Sequence, residues 1–225
     1  MWVAEDGGEP PSSRSPADRD VLTLPTRSLV VVAGIPGAGK STLLHRLYPG
    51  GRRHPVVVCD PERIRVRWER LLRGRRGYRL WRPVVYLEHY TRLLVALLGR
   101  RPVVLHDTAT RRWARRGLAR AARLTGRTPH LLWLDVSYAE SVDGQQRRGR
   151  FVPRASLARH WRRASRLRVK LEARRRTGGF ASTILLNRAR AGHVSLRFVL
   201  PLPRQRPAGK LIRARTPRAG AATPR

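Results

Sequence analysis

The stretch Gly34-Ile35-Pro36-Gly37-Ala38-Gly39-Lys40-Ser41 fits the pattern G-x-x-x-x-G-K-[ST]. It follows the β-branched run Ser28-Leu29-Val30-Val31-Val32-Ala33 and precedes a helix-periodic stretch carrying Leu43, Leu44 and Leu47. A strand that passes through such a loop into a helix is the context in which the pattern has physical meaning. Glycines let successive backbone N–H groups curl around a phosphate, and the helix opening near Lys40 turns its positive dipole end toward the same anion. The residue types predict the roles. Gly34, Pro36, Gly37, Ala38, Gly39 and Thr42 belong to a nucleotide cradle, Lys40 reaches the β- and γ-phosphates of ATP, and the Ser41 hydroxyl lies on Mg²⁺. A glycine-rich turn that holds nothing is the alternative, and it would need strand, motif and helix to coincide without cause.

Beyond the loop the chain alternates strand and helix. Pro55-Val56-Val57-Val58-Cys59, Val103-Val104-Leu105-His106, His130-Leu131-Leu132-Trp133-Leu134 and the run from Ser182 to Leu186 are short apolar strands separated by periodic segments. Asp60-Pro61 opens a helix whose apolar face is Ile64, Trp68, Leu71 and Leu72. Pro83 opens another, with Leu87, Thr91, Leu94, Val95 and Leu98 on one side. A further helix runs from about Thr110 to Leu124, and Ser137 with Glu140 fits a capping box at the head of the next. A long helix from Pro153 sets Leu157, Trp161, Ala164, Leu167 and Leu171 inward. Strands with almost no polar alternation imply a five-stranded parallel sheet covered on both faces. Right-handed crossovers then give a three-layer α/β/α sandwich. In such sheets ligands bind beyond the carboxyl ends of the strands, the edge that collects the loop, Asp60, Asp107 and Asp135.

Asp60 has two readings. Ahead of Pro61 it is a good N-cap; its carboxylate also suits a base taking the proton of an attacking hydroxyl, because phosphoryl transfer asks mainly for positioning, charge neutralisation and an oriented nucleophile. Arg63 bears on the choice, since a cation in a first helical turn opposes the dipole by roughly 0.3–1 kcal/mol unless it faces an anion. The pair is therefore either a local ion pair or a base beside an anion clamp. Asp107 ends an apolar strand, where a carboxylate holds Mg²⁺ through water, with a helix-entry cap as its other reading. Asp135 reads as a strand-end cap, and position alone gives His106 no catalytic role. Arg147, Arg148 and Arg150 lie near 145–152 between two helices, where a lid would close over the nucleotide and supply delocalised charge to phosphate oxygens. Solvated surface is the other reading of such a cluster.

That second reading has weight because the formal net charge is +35, and of 49 basic residues only Lys40, Lys170 and Lys210 are lysines. A surface selected for phosphate backbones normally mixes both types, so coding bias accounts for the arginines as readily as function does. The charge still favours salt-sensitive association with nucleic acid. Cys59 is the sole cysteine, which excludes an intrachain disulfide and suits a reducing cytoplasm. No run approaches the ~18 apolar residues that a membrane span needs. Residues 1–27, with Glu5, Asp6, Glu9, Asp18 and Asp20 among Pro, Ser and Gly, are expected to be a disordered acidic tail and not a targeting signal. The acid-free segment 201–225 is expected to be a disordered basic tail, leaving 28–200 as one ATP-binding domain.

Taken together, GIPGAGKS, Asp60-x-x-Arg63 after the second strand, LHDTATRRWARRGL after the third and RRGR at 147–150 resemble the P-loop kinases related to polynucleotide 5′-kinase, chloramphenicol phosphotransferase and zeta toxin, grouped as AAA-family ATP-binding proteins. The resemblance covers about residues 28–187. It implies a P-loop nucleoside triphosphate hydrolase fold with sheet order 2-3-1-4-5, Asp60 as general base and Arg63 at the acceptor's phosphate or another anion. It also implies Arg147, Arg148 and Arg150 on ATP, an acceptor pocket built from 61–101 and an adenine loop near 187–192. The aromatic residues Trp68, Tyr78, Trp81, Tyr86 and Tyr90 of the pocket region match no named substrate. The expected activity is ATP- and Mg²⁺-dependent transfer of the γ-phosphate to a hydroxyl, either a nucleic-acid 5′-OH or a small metabolite. The alternative is an ATP-hydrolysing regulatory protein acting through partners. Asp60 favours the kinase, because a switch has no need of a base poised toward an acceptor hydroxyl.

Overall fold

The computed structural model describes residues 20–49, 55–71, 78–149, 151–173 and 179–200. The chain runs β1 (Val21–Pro25), β2 (Ser28–Ala33), α1 (Lys40–Leu47), β3 (Val57–Cys59), α2 (Pro61–Leu71), α3 (Tyr78–Leu98), β4 (Val103–His106), α4 (Arg112–Leu124), β5 (Thr128–Leu134), α5 (Tyr138–Gln146), α6 (Arg154–Glu172), β6 (Ser182–Leu186), α7 (Arg188–His193) and β7 (Ser195–Val199).

Every residue of β2 is buried, as an uncharged aliphatic run must be when helices cover both faces of its sheet. It lies at the middle of a five-stranded sheet of order β3-β4-β2-β5-β6, all pairs parallel. Counted from the loop strand this is 2-3-1-4-5, so the expected three-layer fold and its strand order both hold. Leu29, Val31, Leu105, Leu131 and Leu132 are within 1 % of complete burial and form the centre of the core. No helix among the described residues is long and apolar enough to cross a membrane.

Three expectations from the sequence are corrected by the fold. Val21–Pro25, expected within a disordered tail over 1–27, is a strand that pairs in parallel with β7 and makes a separate two-stranded sheet, so the folded unit begins before residue 28. The rest of that tail, 1–19, and the segment 201–225 lie outside the described residues. The helix expected to open at Pro83 starts at Tyr78 and contains that proline. Its inward side is also not the one expected: Trp81, Val85, His89, Leu93 and Leu97 are buried, whereas Leu87, Leu94, Val95 and Leu98 are exposed. Both stripes are apolar at helical spacing, and the histidine in the middle of the buried one masks it in the sequence. The carboxyl end of α3 is held by Arg127, whose guanidinium donates to the carbonyls of Leu97, Gly99 and Arg101 at 2.8–2.9 Å. That clamp fixes the helix whose His89 and Tyr90 reach the site.

Candidate functional site

The loop after β2 is built by steric exclusion. Gly39, at φ 93°, is the N-cap of α1, and a Cβ there would meet nothing, so the left-handed backbone alone demands glycine. Gly37 answers to a different constraint: a Cβ would collide with the carbonyl oxygen of Ser141 in α5. The hydroxyl of Ser141 donates to the Pro36 carbonyl at 2.6 Å, bracing the loop from the far side. Neither Ser141 nor Gly144, which faces Gly37 the same way, figures among the expected site residues. The signal is legible all the same, since a glycine inside a helix lowers its stability and commonly marks a close approach.

Lys40 is buried, and its Nζ donates to the carbonyls of Gly34 at 2.8 Å and Ile35 at 2.9 Å. Burial pushes its ammonium down to about 8, opposed by the carboxylate of Asp107 and assisted by Arg148. An uncapped helix head, open space above Gly39 and a buried cation resting on the loop's own carbonyls fit a bound phosphate chain, whose oxygens would be better partners for that ammonium. Ser41 is buried in the first turn of α1. Asp107 accepts the Ala109 N–H at 2.6 Å on Oδ1 and the Tyr90 hydroxyl at 2.8 Å on Oδ2. Each Asp107 oxygen accepts one donor and keeps a further lone pair, so the carboxylate fits a Mg²⁺ held through water.

Asp60 caps α2 and does more. It is 4 % exposed, and its Oδ1 accepts the Glu62 N–H at 3.0 Å and Nδ1–H of His106 at 2.7 Å. Burial by itself would raise its carboxyl; the hydrogen bond from His106, the Glu62 N–H and the charge of Arg63 outweigh it and hold Asp60 below its ordinary value. Burial pushes His106 below its ordinary value as well, so near neutrality the ring is neutral and serves as donor. Arg63 forms no ion pair with Asp60 and lines, together with it, a cavity of about 550 Å³ between β3, α2 and α3. Arg92, Arg100 and Arg101 line the same cavity. His106, to which position alone gives no catalytic role, is thus the partner of Asp60, and Tyr90, one of the aromatic residues of the expected pocket region, is the partner of Asp107.

A second cavity, of about 470 Å³, opens between α1, the end of α5 and α7, lined by Gly39, Thr42, Arg147, Arg148 and Gly192. Arg148 donates to the Thr42 hydroxyl at 2.7 Å, while Arg147 is paired with Asp143 one turn back at 3.0 Å. Arg150 lies outside the described residues. The stretch expected to hold an adenine loop is α7, capped by Asn187, and its Arg188 and Ala191 also face this cavity. Asp135 is not drawn into the site, since its carboxylate pairs with Arg168 of α6 at 3.4 Å. Ser137 and Glu140 form the expected capping box.

Imidazoles held below their ordinary basicity make acid sensitivity an expected property. His89 is pushed down to about 4 by burial, against the pull of Asp107, and His160 to about 4 by burial and neighbouring cations. Between pH 6.5 and 4 the unfolded chain therefore binds more protons than the folded one, and stability falls as pH falls through that window. Thermal melts at successive pH values are expected to show it, with a shallower decline in His89→Gln.

Comparison with known proteins places residues 29–167 in the AAA domain family. A structure from the PezAT chromosomal toxin–antitoxin system of Streptococcus pneumoniae is similar at 14 % identity and a TM-score of 0.55, covering 77 % of this chain and 71 % of that one. A gluconokinase from Sinorhizobium meliloti 1021 is similar at 23 % identity and a TM-score of 0.42, covering 76 % of this chain and 89 % of that one. No curated protein matches the chain. The match extends to the family and does not single out polynucleotide 5′-kinase, chloramphenicol phosphotransferase or zeta toxin.

Proposed function

The chain belongs to the AAA domain family, and from that premise we propose that it is a small ATP-dependent kinase that transfers the γ-phosphate to a hydroxyl acceptor. The observation that carries the reading is Asp60. A buried carboxylate whose Oδ1 is fixed by His106 and a helix N–H, at the mouth of a cavity shared with Arg63, is more than a cap requires. Both fixed contacts fall on Oδ1, which leaves Oδ2 to take a proton.

In this reading the loop N–H groups and Lys40 hold the phosphates, and Asp60 removes the proton of the acceptor hydroxyl as its oxygen bonds to the γ-phosphorus and the bond to the β-phosphate oxygen breaks. When bound, Mg²⁺ supplies charge neutralisation across the phosphates, with Ser41 and, through water, Asp107 to hold it. Arg148, together with Arg147 and Arg150, brings positive charge to the nucleotide from the segment near 145–152. Arg63 holds the acceptor's anionic group.

The test is γ-labelled ATP offered with 5′-hydroxyl oligonucleotides and with a panel of hydroxylated metabolites, following the label. Label on an acceptor supports the kinase; label released only as inorganic phosphate favours a regulatory ATPase. Arg63→Ala is expected to raise the acceptor's KM about tenfold or more, the loss of a hydrogen bond to a charged group, while the KM for ATP stays nearly constant. Should neither value move, Arg63 has no part in acceptor binding.

A further inference from the structure

A third concavity, of about 290 Å³, lies between the head of α4 and α6, away from Asp60 and Arg63. Its lining includes Arg112 and Arg115 from α4 and Arg163, Arg166 and Lys170 from α6, with no carboxylate among the described residues. Its rim carries Trp113, which is 68 % exposed. We propose that this cleft binds single-stranded nucleic acid, its cations on the phosphates and Trp113 beneath a base.

Four observations converge on an anion. Arg111, the N-cap of α4, makes no side-chain cap bond, and the first turn holds no acid, so no side chain of that turn offsets the positive end of the helix dipole beside the cleft. Arg112 and Arg115 add cations where the dipole disfavours them, a modest cost that an anion in the cleft would offset. Arg115 is the independent sign. It is 6 % exposed, its Nη1 donates to the carbonyls of Ala109 and Thr110 at 2.7 and 3.1 Å, and its buried Nε has no hydrogen-bond partner among the described residues. A buried charged donor without an acceptor is costly, and because Nε has no surface on the cleft, a phosphate reaches it only if the Arg115 side chain shifts within the cleft wall that it helps to form. His160, which bonds Thr110 at 3.1 Å, is lowered in basicity first by burial and then by Lys40 of the phosphate loop, with Arg163 and Arg111 of the cleft adding to the effect.

Trp113 decides the kind of anion. Inorganic phosphate would satisfy the arginines and leave an exposed indole unexplained, whereas a cationic groove beside an accessible aromatic ring is what single strands require, phosphates on one and stacked bases on the other. Arg111 already stands 5.7 Å from the centroid of that ring, where a base and a guanidinium would share it. A duplex keeps its bases stacked and cannot use the ring.

The test uses the full chain and a fluorescent oligothymidylate, with binding read by anisotropy at about 150 mM salt, where purely electrostatic association is weakened. Trp113→Ala, and separately the double change Arg163→Ala with Arg166→Ala, are expected to weaken binding about tenfold or more. Arg154→Ala with Arg162→Ala removes the same charge from α6 outside the cleft and should change affinity less than about threefold, because charges that do not touch the strand are screened at that salt. If both double variants weaken binding alike, the general charge of the chain is responsible and the site does not exist. Tight binding of tripolyphosphate with Trp113→Ala indifferent to the oligonucleotide would overturn the nucleic-acid assignment, and so would the absence of saturable binding at that salt.

Discussion

Lys40→Ala is expected to abolish productive use of ATP·Mg²⁺, by about 10²–10³-fold or more in turnover, the range for removing one preorganised charge-stabilising donor. The melting temperature should stay close to that of the wild type. The two outcomes separate because of where the ammonium sits: it is held by the Gly34 and Ile35 carbonyls, in a loop whose shape is fixed independently by Gly39 and by the contacts of Gly37 with α5. Removing it vacates the phosphate cradle without opening the core. Its lowered basicity, at about 8, also means that the charge is retained near neutrality only by a modest margin and is strengthened by an anion in the cradle. Calorimetric titration with ATP and a turnover assay decide the matter together. Equal affinity and equal turnover in the variant would remove the loop from the mechanism. Lys40→Arg is not a conservative control, since the planar guanidinium does not fit a site that buries the lysine tip between two carbonyls.

The sequence discloses the fold where a single physical constraint dominates. A run such as residues 29–33 of β2, apolar throughout, has only one environment open to it, the middle of a covered parallel sheet, and the glycine-rich pattern after it dictates a phosphate loop and the helix α1. It discloses less where two constraints give the same pattern. In α3, Leu87, Leu94, Val95 and Leu98 have the periodicity of a buried stripe but face outward, because Trp81, Val85, Leu93 and Leu97 form a second stripe that packs inward. Periodicity measures the presence of an apolar face and not its direction. Strand β1 is hidden for another reason: five residues bounded by charged and proline-rich sequence gain order only by pairing with β7, some 170 positions later, as the register of Val21 with Ser195 shows. The aspartates are legible from their places at strand ends. Their partners are not, since Tyr90 comes from the middle of a helix and His106 acquires meaning only when β3 and β4 lie side by side.

That juxtaposition makes Asp60 the most informative residue to change. In Asp60→Asn the amide oxygen can still accept both the Glu62 N–H and the His106 Nδ1–H, so the cap and the local geometry survive. Only the ability to take a proton and the negative charge are lost. Transfer to the acceptor is expected to fall ~10²–10⁴-fold, the usual contribution of a positioned general base, with ATP affinity retained because the phosphates are held by the loop. Asp60→Ala adds the loss of the cap and should lower stability by about 1 kcal/mol, a difference visible in a denaturant melt that the asparagine variant should not show. Comparing the two separates the structural duty of the carboxylate from its chemical one. If Asp60→Asn transfers phosphate at the wild-type rate, the carboxylate is a helix cap paired to a histidine, and the base must be sought elsewhere in the cavity it shares with Arg63.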